Sequence, residues 1–382
     1  MDALLQHFTA RIHAARAAGT PLCIRGGGTK DFYGQSLQGE LLDVSALRGI
    51  ISYEPTELVV TVRAATPLLE LQAALSEKGQ YLAFEPPCFG DTALATCGGA
   101  VAAGLSGPAR ASAGALREFV LGVTLLNGRG ELLTFGGQVI KNVAGYDVSR
   151  LMAGALGTLG LLTEISLKVL PSPVAEATLM CAGLTQQKSL DLLNRWGGQP
   201  LPLSASCWVF DDTANPPRDY LFVRLRGAVA AVAAAAPRML ADMTALGGEA
   251  TRIDNAQAGP DWQACRDQTL PFFKAPAPEL GLWRLSLPQT AVALDLPYAQ
   301  LLEWHGAQRW LWAPLSAQAQ LRQAAGAVGG TATLFRAPTA GAAESAARFS
   351  PLTPVLNRIH LRLKQEFDPA GIFNRGRLYP EF

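Results

Sequence analysis

Hydrophobic positions recur along this chain with two different periods. In the opening segment MDALLQHFTARIHAARAAG, Leu4, Phe8 and Ile12 fall at helical spacing, which predicts an amphipathic helix closed by Gly19. The period then shortens. PLCIR reads as a buried strand, and ELLDVS, ISYEP and ELVVTVRAAT read as further strands. Thr66 and Pro67 predict the next helix start, an N-cap followed by proline at the first helical position. Its apolar stripe is Leu68, Leu71 and Leu75, and Gly79 ends it. FVLGVTLLNGRGELLTF predicts a hairpin turning at Asn127-Gly128. VSRLMAGALGTLG predicts a helix running into a turn, and LLTEISLKVLP a strand ending at Pro171.

Pro171 and Pro173 mark a change of texture. Beyond them SCWVF, YLFVRLRG, WRLSLP, QRWLWAP and TATLFRAP are strand-like and alternate with Ala-rich helices. This predicts a smaller α+β domain with an antiparallel sheet. The chain closes with an amphipathic helix, PVLNRIHLRLKQEF, with Leu356, Ile359, Leu363 and Phe367 on one face, and the tail DPAGIFNRGRLYPEF. The expected division is residues 1–172 as a βαβ-rich first domain with a buried parallel sheet, 173–340 as the second domain, and 341–382 returning to the first.

Composition excludes several classes. The chain has 382 residues, which suits two domains. Hydrophobic residues are 49% and charged residues 16%, which excludes a disordered chain. The net charge of +1 carries no electrostatic footprint for nucleic acid. Mean hydropathy is +0.17, yet no run is long and apolar enough to predict a membrane span. The opening helix lacks the apolar region of a signal peptide, so cytoplasmic residence is the default expectation. Six scattered cysteines form no CxxC pair, so neither a zinc ribbon nor an iron–sulfur cluster is encoded.

Three glycine clusters carry the candidate chemistry. The first is Arg25-Gly26-Gly27-Gly28-Thr29-Lys30, after a strand. The second is Thr96-Cys97-Gly98-Gly99, with Gly104 and Ser106-Gly107 downstream. The third is Gly154, Gly157, Thr158 and Gly160. Backbone without side chains approaches a phosphate closely. The standard nucleotide motifs are absent. Gly28-Thr29-Lys30 reverses the order of a phosphate-binding P-loop, and Asp31 stands where a dinucleotide fingerprint needs its third glycine. Each cluster alone reads as a structural turn. The three together point to a dinucleotide pyrophosphate cradle.

The segments IRGGGTKDFYG, TCGGAVAAGLSGP, KNVAGYDVSRLMAGALGTLGLLTEISLKVLP and KQEFDPAGIFNRGR resemble the FAD-binding fold of the vanillyl-alcohol oxidase, or PCMH, type. Within it they most resemble the E-subunit family of bacterial glycolate oxidase. The resemblance is dense from about Pro21 to Leu170 and in the tail, and loose in the middle. It implies an α+β fold: a PCMH-type FAD-binding domain of two α/β subdomains plus a smaller α+β cap domain with an antiparallel sheet.

The resemblance also implies residue roles. Arg25, Gly26, Gly27, Gly28, Thr29 and Lys30 would wrap the FAD pyrophosphate. Thr96, Gly98, Gly99 and Gly104, preceded by Pro87, would face it from the other side. Gly157, Thr158, Gly160 and Leu161 would lie along the cofactor, and Asn374 would return near the flavin. Several relatives attach flavin through a histidine in the first loop. Thr29 aligns there, which implies non-covalent FAD. Arg375 stands where the family's NPGR segment has proline.

Catalytic residues are harder to assign. Oxidising a 2-hydroxy acid needs a cation for the carboxylate and a base for the hydroxyl proton. Lys141, Tyr146 and Arg336 are candidates, set against a solvated lysine, a packing tyrosine and a surface arginine. Related hydroxy-acid dehydrogenases carry an HPxDGNxH metal motif that this chain lacks, so no metal site is expected. His7, His13, His305 and His360 read as surface or half-buried structural residues. Trp304, Trp310 and Trp312 read as core or interface, and Arg218, Arg224 and Arg226 as a solvated strand face. The expected function is the FAD subunit of a glycolate dehydrogenase, oxidising glycolate or a similar 2-hydroxy acid. Its expected partners are a homologous FAD subunit and an iron–sulfur subunit, and any attachment to the inner membrane is peripheral, through them. The alternatives are a flavin relay or assembly subunit, a scaffold without cofactor, and a stand-alone oxidase of another acid or alcohol.

Overall fold

A computed structural model describes residues 3–137, 147–340 and 346–382. The chain forms two compact units. The first comprises Met1–Ser106, Ala115–Pro171 and Ala347–Phe382; the second comprises Gly107–Gly114 and Ser172–Ala346.

In the first unit the opening helix, Ala3–Ala18, buries Phe8, Ile12 and Ala15. Two short strands, β1 (Leu22–Arg25) and β2 (Glu40–Asp43), pair in parallel. A five-stranded sheet follows from β3 (Ile50–Glu54), β4 (Val59–Arg63), β6 (Val120–Leu126), β7 (Leu132–Gly136) and β8 (Leu161–Lys168). Its order is β3-β4-β8-β6-β7 and every pair is antiparallel. The minor strands β5 (Gln80–Tyr81) and β9 (Leu170–Pro171) pair separately. Among the described residues, the expected parallel sheet is therefore reduced to β1-β2 and a single parallel bridge between Leu22 and Phe373. Continuous apolar runs such as VVTV look alike in a parallel sheet and in an antiparallel sheet covered on both faces.

Local corrections have local causes. The helix expected from Thr66 begins at Leu68, and the Thr66 hydroxyl instead donates to the Arg63 and Gly49 carbonyls. VSRLMAGALGTLG forms only a 3-10 turn, Ser149–Met152, because Gly154, Leu156 and Gly157 take positive φ. The C-terminal helix, Pro354–Phe367, buries Phe367 but leaves Leu356 and Ile359 exposed. The tail packs Ile372 and Phe373 with Phe8, Ile12 and Leu22 in one core. No described helix is long and apolar enough to cross a membrane.

The second unit is built on an eight-stranded antiparallel sheet. Its strands are β10 (Ala175–Ala182), β11 (Leu203–Asp211), β12 (Arg218–Gly227), β13 (Glu249–Ile253), β14 (Leu280–Ser286), β15 (Gln300–Glu303), β16 (Gln308–Pro314) and β17 (Thr331–Arg336). The order is β13-β10-β12-β11-β15-β16-β14-β17. Its core includes two helix-covered clusters, one around Trp196, Leu221 and Met239, the other around Trp283, Leu311 and Leu321.

Candidate functional site

A groove in the first unit holds about 810 Å³ of empty space, part of it open to solvent. Its walls are the three glycine turns. The first turn contributes Arg25, Gly26, Gly27, Gly28, Thr29 and Lys30; the second, Thr96, Gly98 and Gly99; the third, Gly157 and Gly160; and the tail adds Asn374. Pro87, Gly104, Thr158 and Leu161 do not line it. Pro87 is buried. Gly104 ends helix Cys97–Ala103, donating to the Ala100 and Val101 carbonyls. The Thr158 hydroxyl donates to the Ala155 carbonyl oxygen at 2.7 Å, and Leu161 lies in the core.

The glycines let these walls touch each other. A Cβ on Gly27 would stand 1.6 Å from the Leu94 carbonyl oxygen, and one on Gly98 would stand 2.7 Å from that of Ala64. Gly98 N–H donates to the same Ala64 oxygen at 2.6 Å. Gly157 has φ +72°, and a Cβ there would meet the Asn374 amide nitrogen at 2.6 Å. Thr96 caps its helix by accepting from Gly99 N–H at 3.1 Å. Apolar contacts come from Ile24, Leu37, Val44, Leu94, Leu156 and Leu162.

Among the described residues, three cations, Arg25, Lys30 and Arg377, and one carboxylate, Asp31, line the groove. Arg25 Nε donates to Asp31 Oδ2 at 2.7 Å. Arg377 is buried and donates to the carbonyls of Gln35, Lys30 and Asp31, so it pins the first turn from beneath. Burial lowers its pKa to about 10, with Asp31 and Cys23 opposing, so it stays charged at neutral pH. Sequence reasoning placed the run Asn374 to Arg377 near the flavin but gave Arg377 no role of its own, and it missed Asp31 and Leu156 as lining residues. A signal for Arg377 is present in the chain: it closes the Asn374-Arg375-Gly376-Arg377 run that already marks the tail.

Of the three catalytic candidates, only Arg336 lies among the described residues. Lys141 and Tyr146 lie outside the described residues. Arg336 ends β17 in the second unit, 5.8 Å from the Phe335 ring, and burial lowers its pKa to about 10. His305 is buried, not surface or half-buried. Its Nδ1 lies 2.9 Å from Ser206 Oγ and its Nε2 3.1 Å from Ser112 Oγ, and burial lowers its pKa to about 4. Trp304 and Trp310 are core residues. Arg224 is buried rather than solvated, 5.1 Å from the Trp262 ring, because helix Asn255–Asp267 covers that face. Arg218 and Arg226 pair with Glu249 and Glu176. Among the described residues, no group of three or more His, Cys, Asp or Glu side chains is placed to hold a metal.

Comparison with known proteins agrees with this layout. A family described as FAD binding domain matches residues 6–136. Glycolate oxidase subunit GlcE of Escherichia coli (strain K12) is 45% identical over 376 residues, covering 98% of this chain and 97% of that one. Glycolate oxidase subunit GlcD of Bacillus subtilis (strain 168) is 32% identical over 165 residues, 43% of this chain and 33% of that one. A solved structure of p-cresol methylhydroxylase superposes with a TM-score of 0.72 at 12% identity, covering 98% of this chain and 87% of that one. A 4-ethylphenol oxidase from Gulosibacter chungangensis gives 0.68 at 15% identity, with 99% and 88% covered. These two show the PCMH-type fold alone.

Proposed function

The chain belongs to the family of FAD-binding glycolate oxidase subunits, and from that premise we infer that it serves the oxidation of glycolate, or a similar small 2-hydroxy acid, with FAD held in the groove of the first unit. The observation that carries this reading is the lining. Glycine turns and apolar side chains offer room for flat rings, and three cations against one carboxylate suit a diphosphate. When bound, FAD would supply the two-electron acceptor for oxidation of glycolate to glyoxylate, with the electrons leaving to an iron–sulfur partner.

The chain's own residues do the holding. Arg25, Lys30 and Arg377 offset the diphosphate charge. Gly26 to Thr29 and Thr96 to Gly99 form facing walls, with Gly157, Gly160 and Asn374 along one side. Gly104 and Thr158 fix the second and third turns through their own hydrogen bonds, and Leu161 anchors the third in the core. Thr29 stands where relatives attach flavin through a histidine and cannot form that bond, so the cofactor would be held non-covalently. Acid precipitation should release yellow colour to the supernatant; a yellow pellet would overturn this point.

The partners are a homologous FAD subunit, supported by the local likeness to GlcD, and an iron–sulfur subunit. The latter is supported by the cysteines, which are buried, separate thiols. Lys141, Tyr146 and Arg336 remain the candidates for contact with substrate. A second reading, a flavin relay whose substrate site lies on the partner, is favoured by one observation. No histidine lines the groove among the described residues. Purifying the chain alone, recording its visible spectrum and adding glycolate anaerobically separates the two. Bleaching without partners supports catalysis on this chain. Flavin that stays oxidised until a partner is added supports the relay. A colourless chain that takes up no FAD overturns both.

A further inference from the structure

Lys364 is a cation buried in the first unit, on the C-terminal helix, and it does not line the groove. Its three ammonium protons are all used. They go to Asp368 Oδ2 at 2.8 Å, the Thr158 carbonyl at 2.7 Å and the Phe373 carbonyl at 2.9 Å. Asp368 accepts in turn from Ile372 N–H at 3.1 Å and Phe373 N–H at 2.8 Å. This pair therefore grips the third glycine turn with one hand and the tail with the other.

The tail carries the grip to the opposite wall. Asn374 Nδ2 donates to the Leu156 carbonyl at 2.6 Å, and Asn374 Oδ1 accepts from Ile24 N–H at 2.8 Å. Leu22 N–H donates to the Ile372 carbonyl at 2.6 Å, and Asn374 N–H to that of Leu22 at 2.9 Å. β1 runs directly into Arg25 and the first glycine turn. Thr158 and Leu156 flank Gly157, while Ile24 and Arg25 open the other side. One chain of bonds thus spans the groove from Thr158 through Lys364, Phe373 and Asn374 to Ile24. Its only charged members are Lys364 and Asp368, both buried, where such bonds are directional and costly to lose.

We propose that Lys364, paired with Asp368, is a positioning residue that sets the separation of the first and third glycine turns and so the fit of the cofactor. It acts through Thr158, Phe373 and Asn374 and touches no ligand. The inference rests on the FAD reading of the groove, and its test separates the two.

The test compares Lys364→Met with Asp368→Asn, which keeps the shape and removes the charge, and with Leu75→Ala. Leu75 is a buried core residue of the same unit that does not line the groove. Two readouts are taken below each variant's unfolding midpoint. One is amide hydrogen exchange in residues 24–30 and 155–160 without FAD. The other is FAD affinity by fluorescence quenching. The expected result is faster exchange confined to those two turns in both charge variants, and FAD affinity weakened roughly tenfold to a hundredfold, as small misplacements produce. Leu75→Ala should lower the midpoint and leave exchange in the turns and affinity within about twofold. The proposal falls if exchange in the turns is unchanged in the charge variants, or if Leu75→Ala loosens them equally. If Lys364→Met does not fold, Asp368→Asn decides by the same two criteria. If the wild type takes up no FAD, the cofactor reading fails, while hydrogen exchange still decides the positioning role.

Discussion

Lys364 in the first unit and Arg309 in the second are both buried cations that donate to backbone carbonyls, yet they do different work. Lys364 is paired with Asp368 and fastens the turns around a groove. Arg309 is fully buried and donates to the carbonyls of Gly306, Val292 and Ala291, in the connections between β15 and β16 and between β14 and β15. Burial lowers its pKa to about 10. The second unit holds other buried polar groups in the same manner. Glu303 accepts from Cys265, Gln308 and Trp310, and His305 sits between Ser206 and Ser112. A buried charge therefore does not by itself mark a binding site. What distinguishes the first unit is that its buried pair is bonded to the glycine turns that line a groove.

The largest test of this contrast is Arg309→Met. It strands three carbonyls and should cost about 3 kcal/mol or more. The thermal midpoint should fall by several degrees, with FAD affinity of the folded protein within about twofold. A marked loss of affinity would erase the distinction. A pH test on His305 comes next. Its folded pKa of about 4 lies below the ordinary 6.5, so the unfolded chain binds the proton first. Stability present above pH 6.5 is lost as pH falls towards 4, by up to about 3 kcal/mol. His305→Asn, which tolerates the φ of +57°, should flatten denaturant-measured stability across that window relative to wild type. An unchanged slope would contradict a buried neutral imidazole.

In the first unit, Gly27→Ala must move the Leu94 carbonyl. It should cost about 1–3 kcal/mol of overpacking and weaken FAD further than that loss of stability explains. Equal FAD affinity in the folded variant would show that the wall is not part of the site. The smallest expected effect is Arg25→Gln. Arg25 is half exposed and already bonded to Asp31, so its removal should weaken FAD by no more than about tenfold. A larger loss would make Arg25 a main anchor.

Much of the groove was readable from the chain because glycine is itself a geometric statement. The three clusters that interrupt the strand pattern are the three walls. The positions behind the walls were not readable. Thr158 and Leu161 sit in the same run as Gly157 and Gly160, and one residue along a turn exchanges a lining position for a buried one. Lys364 was hidden by the apolar stripe of its helix, although the spacing of Lys364 and Asp368 was visible. Arg224 was misplaced for a comparable reason. Alternation in YLFVRLRG places it opposite Leu221, Val223 and Leu225, but the sequence does not say that a helix bearing Trp262 covers that face too. The parallel sheet failed because apolar runs do not encode strand direction.

If the groove between the glycine turns is the FAD site, titrating the flavin-stripped chain with FAD beside Arg377→Met tests it most directly. Arg377 pins the first turn and supplies a buried cation, so its loss should weaken binding by about tenfold to a hundredfold, the worth of about 1.5–3 kcal/mol for a bond to a charged group. Wild-type affinity in a folded Arg377→Met protein would contradict that assignment.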